Sequence, residues 1–551
     1  MERPTSTFPL PGIQHGQRIL ASVVESRAKN EPNSAWVSVP IDDADLSRGF
    51  REISFQQLNN AANHAAHWLH QHLPATTEPF QCFAYAGPKD FRYPILAVAA
   101  AKLQKVGSHV DIVLQIVLPS PLITPEAQLR IFRQKSCAVY LRPASMVDHV
   151  AAILRETPEI RTLTVPELGD FLQDAEAAPY TYAKTWEEGK DDPWIVFHTS
   201  GTTGFPKPIT YTHRMMTSPD IAASLPDIEY THVHQYALQR WYTPLPSLHF
   251  VGTVMTLSMT SFVRMVAVVG PSAPPSPQVV ADILRYGRVD GALLTPALID
   301  ELCLIPSGLE ALRNLKYVHF AGAPLSAKAG AQLAPHVHLV PCIGSTEAGG
   351  YFTTIQDKDR PWDYITFQKH AGAEFEHRFN NLHELVFVRQ PECAMQQIFS
   401  AYPDRDRFET KDLWVEHPEH KGSWKIIGRT DDYVALAHAD GLHASLLEPE
   451  VEAHPGVKSA LIGGHGRPAP VLIVEFFSDA QEGNDRKTLV ESLHPYLEKV
   501  NAHVHDCVKL SADRIIIASK DKPFVRTIKG SVARLQTLGL YEDEIAAIFG
   551  Q

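Results

Sequence analysis

The order of apolar and polar residues predicts helices that alternate with strands through most of the chain. Apolar residues recur at three- and four-residue spacing in residues 18–29 and 55–72, which is typical of amphipathic helices. Short runs rich in β-branched residues predict strands between such helices: 195–197, 265–269, 318–320 and 385–388. Because this alternation builds mostly parallel sheets flanked by helices, we expect an α/β fold.

A change in the pattern marks a domain boundary near Asp431. Residues 424–434, WKIIGRTDDYV, pass from a strand-like run into a Gly-Arg turn and an acidic pair. Beyond this point about 120 residues, enough for a small domain, carry apolar runs of their own. These runs are 460–462, 471–476 and 514–517. We therefore predict a large domain over 1–430 and a small α+β domain over 431–551.

Composition narrows the possible partners. The net charge is -12 and no basic cluster is visible, which argues against a nucleic-acid partner. Apolar runs stay short of the ~20 residues that a membrane helix needs, so we expect a soluble, cytoplasmic protein. The cysteines lack CxxC pairing, which predicts buried small side chains rather than zinc ligands or disulfides. They are Cys82, Cys137, Cys303, Cys342, Cys393 and Cys507.

The strongest chemical signal is residues 194–207, WIVFHTSGTTGFPK. Gly201 and Gly204 let the backbone turn tightly with its N–H groups inward, and Lys207 adds a positive charge. Hydroxyl groups come from Thr199, Ser200, Thr202 and Thr203. The string differs from the Walker P-loop, because Pro206 prevents a helix from starting there. It suits a polyphosphate; the alternative is a solvated Gly/Thr turn.

Four more segments follow in the chain: 343–349 (IGSTEAG), 408–413 (FETKDL), 428–434 (GRTDDYV) and 522–534 (KPFVRTIKGSVAR). A carboxylate after the Gly-Ser-Thr turn of the first can hold Mg²⁺ against phosphate oxygens. Each segment also has an ordinary structural alternative. In the same order, these are a helix N-cap at Ser345 or Thr346, a surface charge run, a Gly-Arg hairpin turn and a solvated basic run.

Together and in this order, the five motifs resemble those of the adenylate-forming (ANL) superfamily, which contains acyl-CoA synthetases, luciferases and nonribosomal-peptide adenylation domains. FETKDL stands where the superfamily has YRTGDL, with Lys411 in the place of its glycine. Residues 522–545 and 441–457 (GLHASLLEPEVEAHPGV) are similar to adenylation domains of fungal nonribosomal-peptide-synthetase-like proteins of the carboxylic acid reductase type. The resemblance implies a large core of mostly parallel sheets and a small mobile C-terminal domain.

The resemblance also implies residue roles. It assigns ATP binding to Thr199, Ser200, Gly201, Thr202, Thr203, Gly204, Lys207, Gly322, Ala323, Pro324, Ile343, Gly344, Ser345, Asp412 and Arg429. Thr346 would contact the α-phosphate, Glu347 the Mg²⁺ ion, and Asp412 both ribose hydroxyls. Lys529 would bridge the substrate carboxylate and the α-phosphate, and Asp431 would be the hinge of the small domain.

The acid pocket is expected at two segments, FAGAPLS (320–326) and PLPSLHFVG (244–252). The residues predicted to line it are His249, Phe250, Gly252, Ala321, Gly322 and Gly349. His249 is also predicted to gate the pocket and is counted among the catalytic residues. Amino-acid-activating relatives place an Asp where Phe250 stands. An apolar ring cannot pair with an ammonium group, so we expect a non-amino, aryl acid. His249 could instead be a core histidine.

The expected reaction has two steps. The acid attacks the α-phosphorus of MgATP to give acyl-AMP and pyrophosphate, and rotation about Asp431 then withdraws Lys529 and admits a thiol. We expect the phosphopantetheine thiol of a carrier domain, with a reductase or thioesterase domain downstream. Alternatives are a free-standing acid–CoA ligase and a non-catalytic nucleotide-binding protein. A further alternative is a quaternary-ammonium acid such as betaine, bound by the rings of Trp241, Tyr242, Phe250 and Tyr351. The ordinary interpretation of these four rings is core packing.

Overall fold

The computed structural model describes residues 8–75, 78–103, 105–106, 111–121, 123–155, 157–199, 206–272, 275–379, 381–391, 394–437, 441–502, 504–526 and 530–550. These residues form two compact units. The described residues of 1–201, 205–372 and 389–406 make up the first unit, and those of 373–388 and 407–551 belong to the second.

The first unit contains two sheets that are parallel for most of their width. Its strands are β1 Ala35–Pro40, β2 Phe50–Ser54, β3 Phe80–Tyr85, β4 Lys105–Val106, β5 Asp111–Val117, β6 Val139–Arg142, β7 Arg161–Thr164, β8 Pro193–His198, β9 Pro208–Thr212, β10 Arg240–Tyr242, β11 Val266–Val268, β12 Gly291–Leu294, β13 Tyr317–Ala321, β14 His338–Cys342, β15 Gly344–Ser345, β16 Gly349–Gly350, β17 Thr353–Thr354 and β18 Ile365–Phe367.

Helices cover the faces of these sheets. They are α1 Leu20–Asn30, α2 Phe55–His72, α3 Arg92–Lys102, α4 Pro125–Gln134, α5 Val147–Ile153, α6 Leu168–Phe171, α7 Trp186–Gly189, α8 His213–Met216, α9 Ser218–Ser224, α10 His232–Tyr236, α11 Phe250–Thr253, α12 Thr260–Val263, α13 Pro277–Tyr286, α14 Pro296–Cys303, α15 Pro306–Arg313, α16 Ala327–Leu333 and α17 Ile398–Ala401. A π-helical segment, Val254–Met259, joins α11 to α12.

Strand order confirms the predicted α/β class. Over the described residues, one sheet runs β14-β13-β12-β10-β11-β1-β2 and is parallel except at β1–β2. The other runs β7-β6-β3-β5-β8-β9, with β8–β9 antiparallel and β4 added against β5. Parallel strands end at one edge of their sheet, which is where open α/β sheets bind ligands.

Local signals explain why α2 forms over the predicted residues. Its apolar face, which includes Leu58 and Leu69, is buried against the core. At its start the Ser54 hydroxyl accepts a hydrogen bond from the Gln57 N–H, and the Gln57 side chain accepts one from the Ser54 N–H. This capping box satisfies two N–H groups that a helix start leaves free.

The second unit begins with an antiparallel sheet and continues with a small α+β layer structure. Its elements are β19 Ala373–Phe379, β20 Leu382–Val388, β21 Arg407–Glu416, β22 Ser423–Arg429, β23 Tyr433–Ala435, β24 Gly441–His443, α18 Ala444–Glu452, β25 Val457–Gly463, β26 Val471–Phe476, α19 Ser478–Gln481, α20 Arg486–Ala502, β27 Ile515–Ile517, α21 Arg534–Leu540 and α22 Glu542–Ile548. The predicted apolar runs at 460–462 and 471–476 lie in β25 and β26, and the run at 514–517 contains β27 and begins one residue before it, at the end of a 3₁₀ turn.

Both faces of the β25-β26-β27 sheet are buried. Leu472 and Val474 of β26 face the core beneath α18 and α20, whereas Val471 and Ile473 face the core beneath α21 and α22. Alternate strand residues point to opposite faces, so a strand covered on both sides is apolar throughout. The predicted boundary near Asp431 stays a prediction, and the strands β19 to β22 before it belong to the same compact unit as 431–551.

Candidate active site

The predicted phosphate loop connects β8 to β9, two antiparallel neighbours. Its ends are held together by two hydrogen bonds. The Thr199 N–H donates to the Lys207 carbonyl at 3.0 Å, and the Lys207 N–H donates to the Thr199 hydroxyl at 3.0 Å. Residues 200–204 lie outside the described residues, so the roles of Ser200, Gly201, Thr202, Thr203 and Gly204 stay predictions. The Lys207 side chain is exposed.

His198 anchors the start of this loop and was missed by the sequence analysis. The Ser120 N–H donates to His198 Nε2 at 3.0 Å, and His198 Nδ1 lies 2.8 Å from the Thr199 carbonyl. Nε2 is therefore an acceptor and Nδ1 carries the hydrogen. Burial lowers the pKa of His198, which keeps the ring neutral. The ring thus links the carboxyl end of β5 to the loop.

Residues 343–349 form a tight turn between the short antiparallel strands β15 and β16. The Ser345 hydroxyl accepts a hydrogen bond from the Ala348 N–H at 3.1 Å. A Cβ on Gly344 would lie 2.3 Å from the Gly349 carbonyl oxygen, so the two strands approach closely only with glycine there. The alternative of a helix N-cap at Ser345 or Thr346 is therefore wrong. Thr346 is buried and Glu347 half-buried.

Tyr211 brings three predicted segments together, although it is not among the residues predicted from the sequence. It lies on β9, directly after the phosphate loop, and its hydroxyl donates to the Thr346 carbonyl at 3.0 Å. Its ring lies 6.2 Å from that of Phe250 and 5.0 Å from that of Phe197. Burial, and second the charge of Glu347, raise the pKa of Tyr211 well above its usual range. The signal in the sequence is the alternation of PITYT, which points Tyr211 inward.

The predicted acid-pocket segment places His249 and Phe250 at the start of α11. His249 is half-buried and caps the helix, with Nδ1 accepting from the Val251 N–H at 3.3 Å. Phe250 is buried, and its ring lies 4.9 Å from the His249 ring. A Cβ on Gly252 would lie 2.2 Å from the Pro246 carbonyl oxygen. Gly252 therefore allows the helix to pack directly on the preceding turn.

The other predicted pocket residues follow the carboxyl ends of β13 and β14. Ala321 pairs with Cys342 across these strands, so the loops that begin at Gly322 and Ile343 leave the sheet side by side. Gly322 has a φ of 101°, a conformation that favours glycine. Ala323 and Pro324 are exposed after it.

Gly349 packs against Gln397, a residue that is not among those predicted from the sequence. A Cβ at Gly349, where φ is 67°, would lie 2.1 Å from Gln397 Oε1. Gln397 Nε2 donates to the Met215 carbonyl at 3.2 Å. Its Oε1 is buried and has no hydrogen-bond partner among the described residues. A buried amide oxygen in this state is able to accept a hydrogen bond from a ligand.

The proposed aromatic cage for a quaternary ammonium group is wrong as a set of four rings. Trp241 and Tyr242 are neighbours on β10, so their side chains point to opposite faces of the sheet. Trp241 Nε1 donates to the Gln235 carbonyl at 3.2 Å, and its ring packs 4.3 Å from that of Tyr236. Tyr242 belongs to the core beneath α13. Both are core residues.

In the second unit, Asp412 and Arg429 pair with each other. They face across β21 and β22, and Arg429 Nη1 donates to Asp412 Oδ1 at 2.9 Å. Asp412 lies in a bulge of β21. Between the pairs Glu384–Leu413 and Val386–Glu409, one residue of β20 stands opposite three residues of β21. Bulges of this kind redirect side chains next to active sites.

Lys411, at the centre of this bulge, has a φ of 65°. The superfamily pattern has glycine here, the residue that adopts a left-handed conformation without steric cost. The Lys411 N–H donates to Glu384 Oε1 at 3.0 Å, and the Asp412 N–H donates to the Thr410 hydroxyl at 3.1 Å. These bonds hold the bulge without glycine.

Of the predicted hinge and the predicted catalytic lysine, only the hinge lies within the described residues. Asp431 lies in the 3₁₀ turn Thr430–Asp432. The next residue, Asp432, forms an ion pair with Arg534 at 3.2 Å. Lys529 lies outside the described residues. A hydrogen bond joins the segments before and after this residue: the Ala533 N–H donates to the Val525 carbonyl at 2.8 Å. The roles of Asp431 and Lys529 stay predictions.

Comparison with known proteins defines the class to which this fold and these motifs belong. Residues 24–373 match the family model described as AMP-binding enzyme, and residues 431–551 match the one described as AMP-binding enzyme C-terminal domain. The chain belongs to the AMP-binding enzyme family. It is an adenylate-forming ligase that activates carboxylic acids.

Fungal proteins are among its relatives. The chain is 30% identical over 546 residues to a carboxylic acid reductase of Neurospora crassa, covering 97% of this chain and 51% of the relative. It is 27% identical over 419 residues to the adenylate-forming reductase Nps11 of Serpula lacrymans, covering 70% and 38%. The chain thus spans about half, or less, of the length of these relatives.

Solved structures share the fold across nearly the whole chain. ATP-bound MatB from Rhodopseudomonas palustris superposes with a TM-score of 0.70 at 17% identity, covering 95% of this chain and 99% of that one. The anthranilate CoA ligase AuaEII, in complex with anthranoyl-AMP, has a TM-score of 0.69 at 14% identity, covering 95% and 97%. Separately, the described helices include none with the length and apolar character of a membrane span.

Proposed function

We propose that this chain is the adenylation part of a fungal reductase of the nonribosomal-peptide-synthetase-like type. In this proposal it acts in the cytoplasm, activates a non-amino, aryl carboxylic acid and passes the acyl group to the phosphopantetheine thiol of a carrier domain. A reductase or thioesterase domain would then act on the thioester. The proposal is supported by the activities for which these relatives are named and by the chain's coverage of half of their length or less.

The observation that carries the proposal is the position of Tyr211. One side chain touches the Thr346 carbonyl and lies beside Phe250, so the segment predicted to bind the α-phosphate and the segment predicted to bind the acid are close neighbours. An acid held next to the α-phosphate reacts faster, because the entropy of bringing two anions together is already lost on binding.

The residues of this segment also fit a magnesium ion. The Glu347 carboxylate is a hard oxygen ligand next to Thr346, and Mg²⁺ prefers carboxylate and phosphate oxygens. When bound, the ion neutralises charge on the phosphate oxygens. In our proposal Thr346 orients the α-phosphate, Lys207 contributes positive charge to the pyrophosphate, and Lys529 stabilises the charge that develops between carboxylate and phosphorus.

Phe250 supports an acid without an α-amino group. Its ring is buried between His249 and Tyr211, so position 250 offers no carboxylate to an ammonium group. An unpaired buried charge is costly, whereas an apolar ring of the substrate gains from contact with Phe250. The betaine alternative loses its support, because Trp241 and Tyr242 are core residues on opposite faces of β10.

The two remaining alternatives differ in chemistry. A free-standing CoA ligase would use CoA itself as the thiol; the likeness to AuaEII shows the fold and does not decide between the acceptors. A nucleotide-binding protein without catalysis would have no use for Lys529, whereas the chain keeps Lys207, Glu347, Asp412 and Lys529 together.

The acid class is tested by trapping the acyl-adenylate with hydroxylamine. The matched pair is 3-phenylpropionate and phenylalanine, which differ by the α-ammonium group, together with benzoate and its hydroxylated derivatives. We expect hydroxamate from the non-amino acids and little from phenylalanine. Preference for phenylalanine would contradict the assignment of Phe250.

The acceptor is tested with the preferred acid. The chain is incubated with ATP and either CoA or a phosphopantetheinylated carrier domain, and thioester formation is followed by mass spectrometry. We expect loading of the carrier domain with little acyl-CoA. Rapid acyl-CoA formation would instead identify a CoA ligase and would leave the adenylation step intact.

A further inference from the structure

Two histidines and a cysteine from three separate parts of the chain meet inside the first unit. They are His232, the first residue of α10; His319 on β13; and Cys342, the last residue of β14. One ligand atom of each lies within 4.8 Å of the other two. None of the three takes part in the nucleotide or acid site described above.

The spacing between the ligand atoms of Cys342 and His232 fits a tetrahedral ion. The Cys342 sulfur lies 3.7 Å from His232 Nδ1. With zinc–sulfur and zinc–nitrogen bonds of about 2.3 Å and about 2.1 Å, tetrahedral geometry places these two atoms about 3.6 Å apart. The pair therefore needs almost no movement to bind one zinc ion.

Hydrogen bonds fix which nitrogen each ring presents. His338 Nε2 bonds to the Gln356 carbonyl at 3.0 Å, so His338 Nδ1 accepts from Gln235 Nε2 at 3.3 Å. Gln235 Oε1 then accepts from His319 Nε2 at 2.5 Å. His319 Nδ1 is left with a lone pair, to which the Tyr236 hydroxyl donates at 3.0 Å.

His232 is held in a similar way. Its Nε2 lies 2.9 Å from the Thr353 hydroxyl oxygen, which leaves Nδ1 facing Cys342. Histidines that bind metals usually donate their other ring N–H to an oxygen acceptor, and this bond orients the ring and raises its basicity. Both rings already make that outer contact.

The ligand types suit a zinc ion, because histidine nitrogens and a cysteine thiolate are its usual ligands in proteins. A bound Zn²⁺ ion replaces the thiol proton, which leaves to solvent as the zinc–sulfur bond forms.

We propose that His232, His319 and Cys342 bind one Zn²⁺ ion, through Nδ1 of each histidine and the sulfur of the cysteine. The Tyr236 hydroxyl or a water completes the tetrahedron. Entry is possible from a surface cleft lined by His232, His338, Val340 and Thr353. The ion would connect α10, β13 and β14 immediately before Ile343, and so stabilise the start of the predicted nucleotide turn.

The direct test is the zinc content of the whole chain. The wild-type protein is stripped with a chelator, dialysed against Zn²⁺ and then against metal-free buffer, and analysed by inductively coupled plasma mass spectrometry. We expect one equivalent in the wild type and less than a tenth of that in Cys342→Ser and His232→Gln. Cys303→Ser, a half-buried cysteine outside the cluster, is the matched control and should retain one equivalent.

Cobalt provides a second readout that needs no variant. Co²⁺ added to the stripped wild-type protein should give a thiolate-to-metal charge-transfer band and the strong visible bands of a tetrahedral site. These bands should disappear when Zn²⁺ is added. If the wild-type protein retains no zinc and shows no cobalt absorption bands, the proposal is wrong, whether or not Cys342→Ser folds. It is equally wrong if folded Cys342→Ser and His232→Gln retain zinc. Neither readout depends on the acid substrate.

Discussion

At the scale of single residues, Tyr211 is the side chain that connects the predicted phosphate and acid segments. Its hydroxyl binds the Thr346 carbonyl, and its ring fills the space between Phe197 and Phe250. A phenylalanine would keep the ring contacts and remove one hydrogen bond. The function of that bond can therefore be measured separately from the packing.

We expect Tyr211→Phe to lower the unfolding free energy by about 1 kcal/mol, because the Thr346 carbonyl loses its buried donor. The loosened turn should also lower the rate of ATP–pyrophosphate exchange about 2- to 10-fold. Urea denaturation and exchange assays on the same preparation measure the two effects.

The matched control is Tyr140→Phe. Tyr140 is also fully buried, and its hydroxyl donates to Gln128 Oε1 at 3.0 Å, in a core cluster that contains none of the predicted site residues. Tyr140→Phe should lower the unfolding free energy by a similar amount and keep the wild-type rate of ATP–pyrophosphate exchange. Equal losses of exchange in both variants would mean that Tyr211 acts through stability alone.

At the scale of elements, the close packing of α11 on residues 244–247 depends on Gly252. In Gly252→Ala the new Cβ would lie 2.2 Å from the Pro246 carbonyl oxygen, so the helix start must move. We expect a loss of about 1–3 kcal/mol in unfolding free energy. The KM for the acid should rise, because His249 and Phe250 begin this helix.

Gly169→Ala in α6 is the control for that change. Its Cβ would meet no atom within 4 Å. An alanine in an open helix position is neutral or stabilising by up to about 1 kcal/mol, and the KM should stay unchanged. An unchanged KM in Gly252→Ala would contradict the assignment of α11 to the acid pocket.

Elements with strong local signals were predictable from the sequence. Helix α2 covers 55–72 as expected, because its apolar spacing and the Ser54 capping box specify the same residues. The turn at 345–348 was not predictable, since Ser-Thr-Glu is equally typical of a helix start. The antiparallel pairing of Gly344 with Gly350 makes this segment a turn between two strands. The cluster of His232, His319 and Cys342 has no sequence spacing to detect. It exists only because β13 and β14 are neighbours and α10 packs on them.

At the scale of the whole molecule, buried neutral histidines make the fold sensitive to acid. His213 is buried against the ring of Trp194, with Tyr182 and Lys184 as the titratable neighbours. Burial, and second the charge of Lys184, lower its pKa to about 3. The unfolded chain binds a proton at about pH 6.5, so stability is complete above that pH and falls as the pH drops towards 3.

Between pH 7.5 and pH 5 we expect His213 to account for a loss of about 2 kcal/mol in unfolding free energy. His213→Gln should therefore show a smaller difference between the two pH values in urea denaturation. His336→Gln, at an exposed histidine, should behave as the wild type. A pH dependence that is the same in all three proteins would contradict the assignment.

The whole account depends on carboxylate adenylation, and ATP–pyrophosphate exchange over a panel of acids tests this most directly. We expect exchange with at least one non-amino acid. Lys529→Ala should lower it about 100-fold or more, as for loss of a group that stabilises transition-state charge. Lys520→Ala, at an exposed neighbouring lysine, should keep the wild-type rate. Exchange unaffected by Lys529→Ala would refute only the role of that lysine, whereas the absence of exchange with every acid would contradict the account.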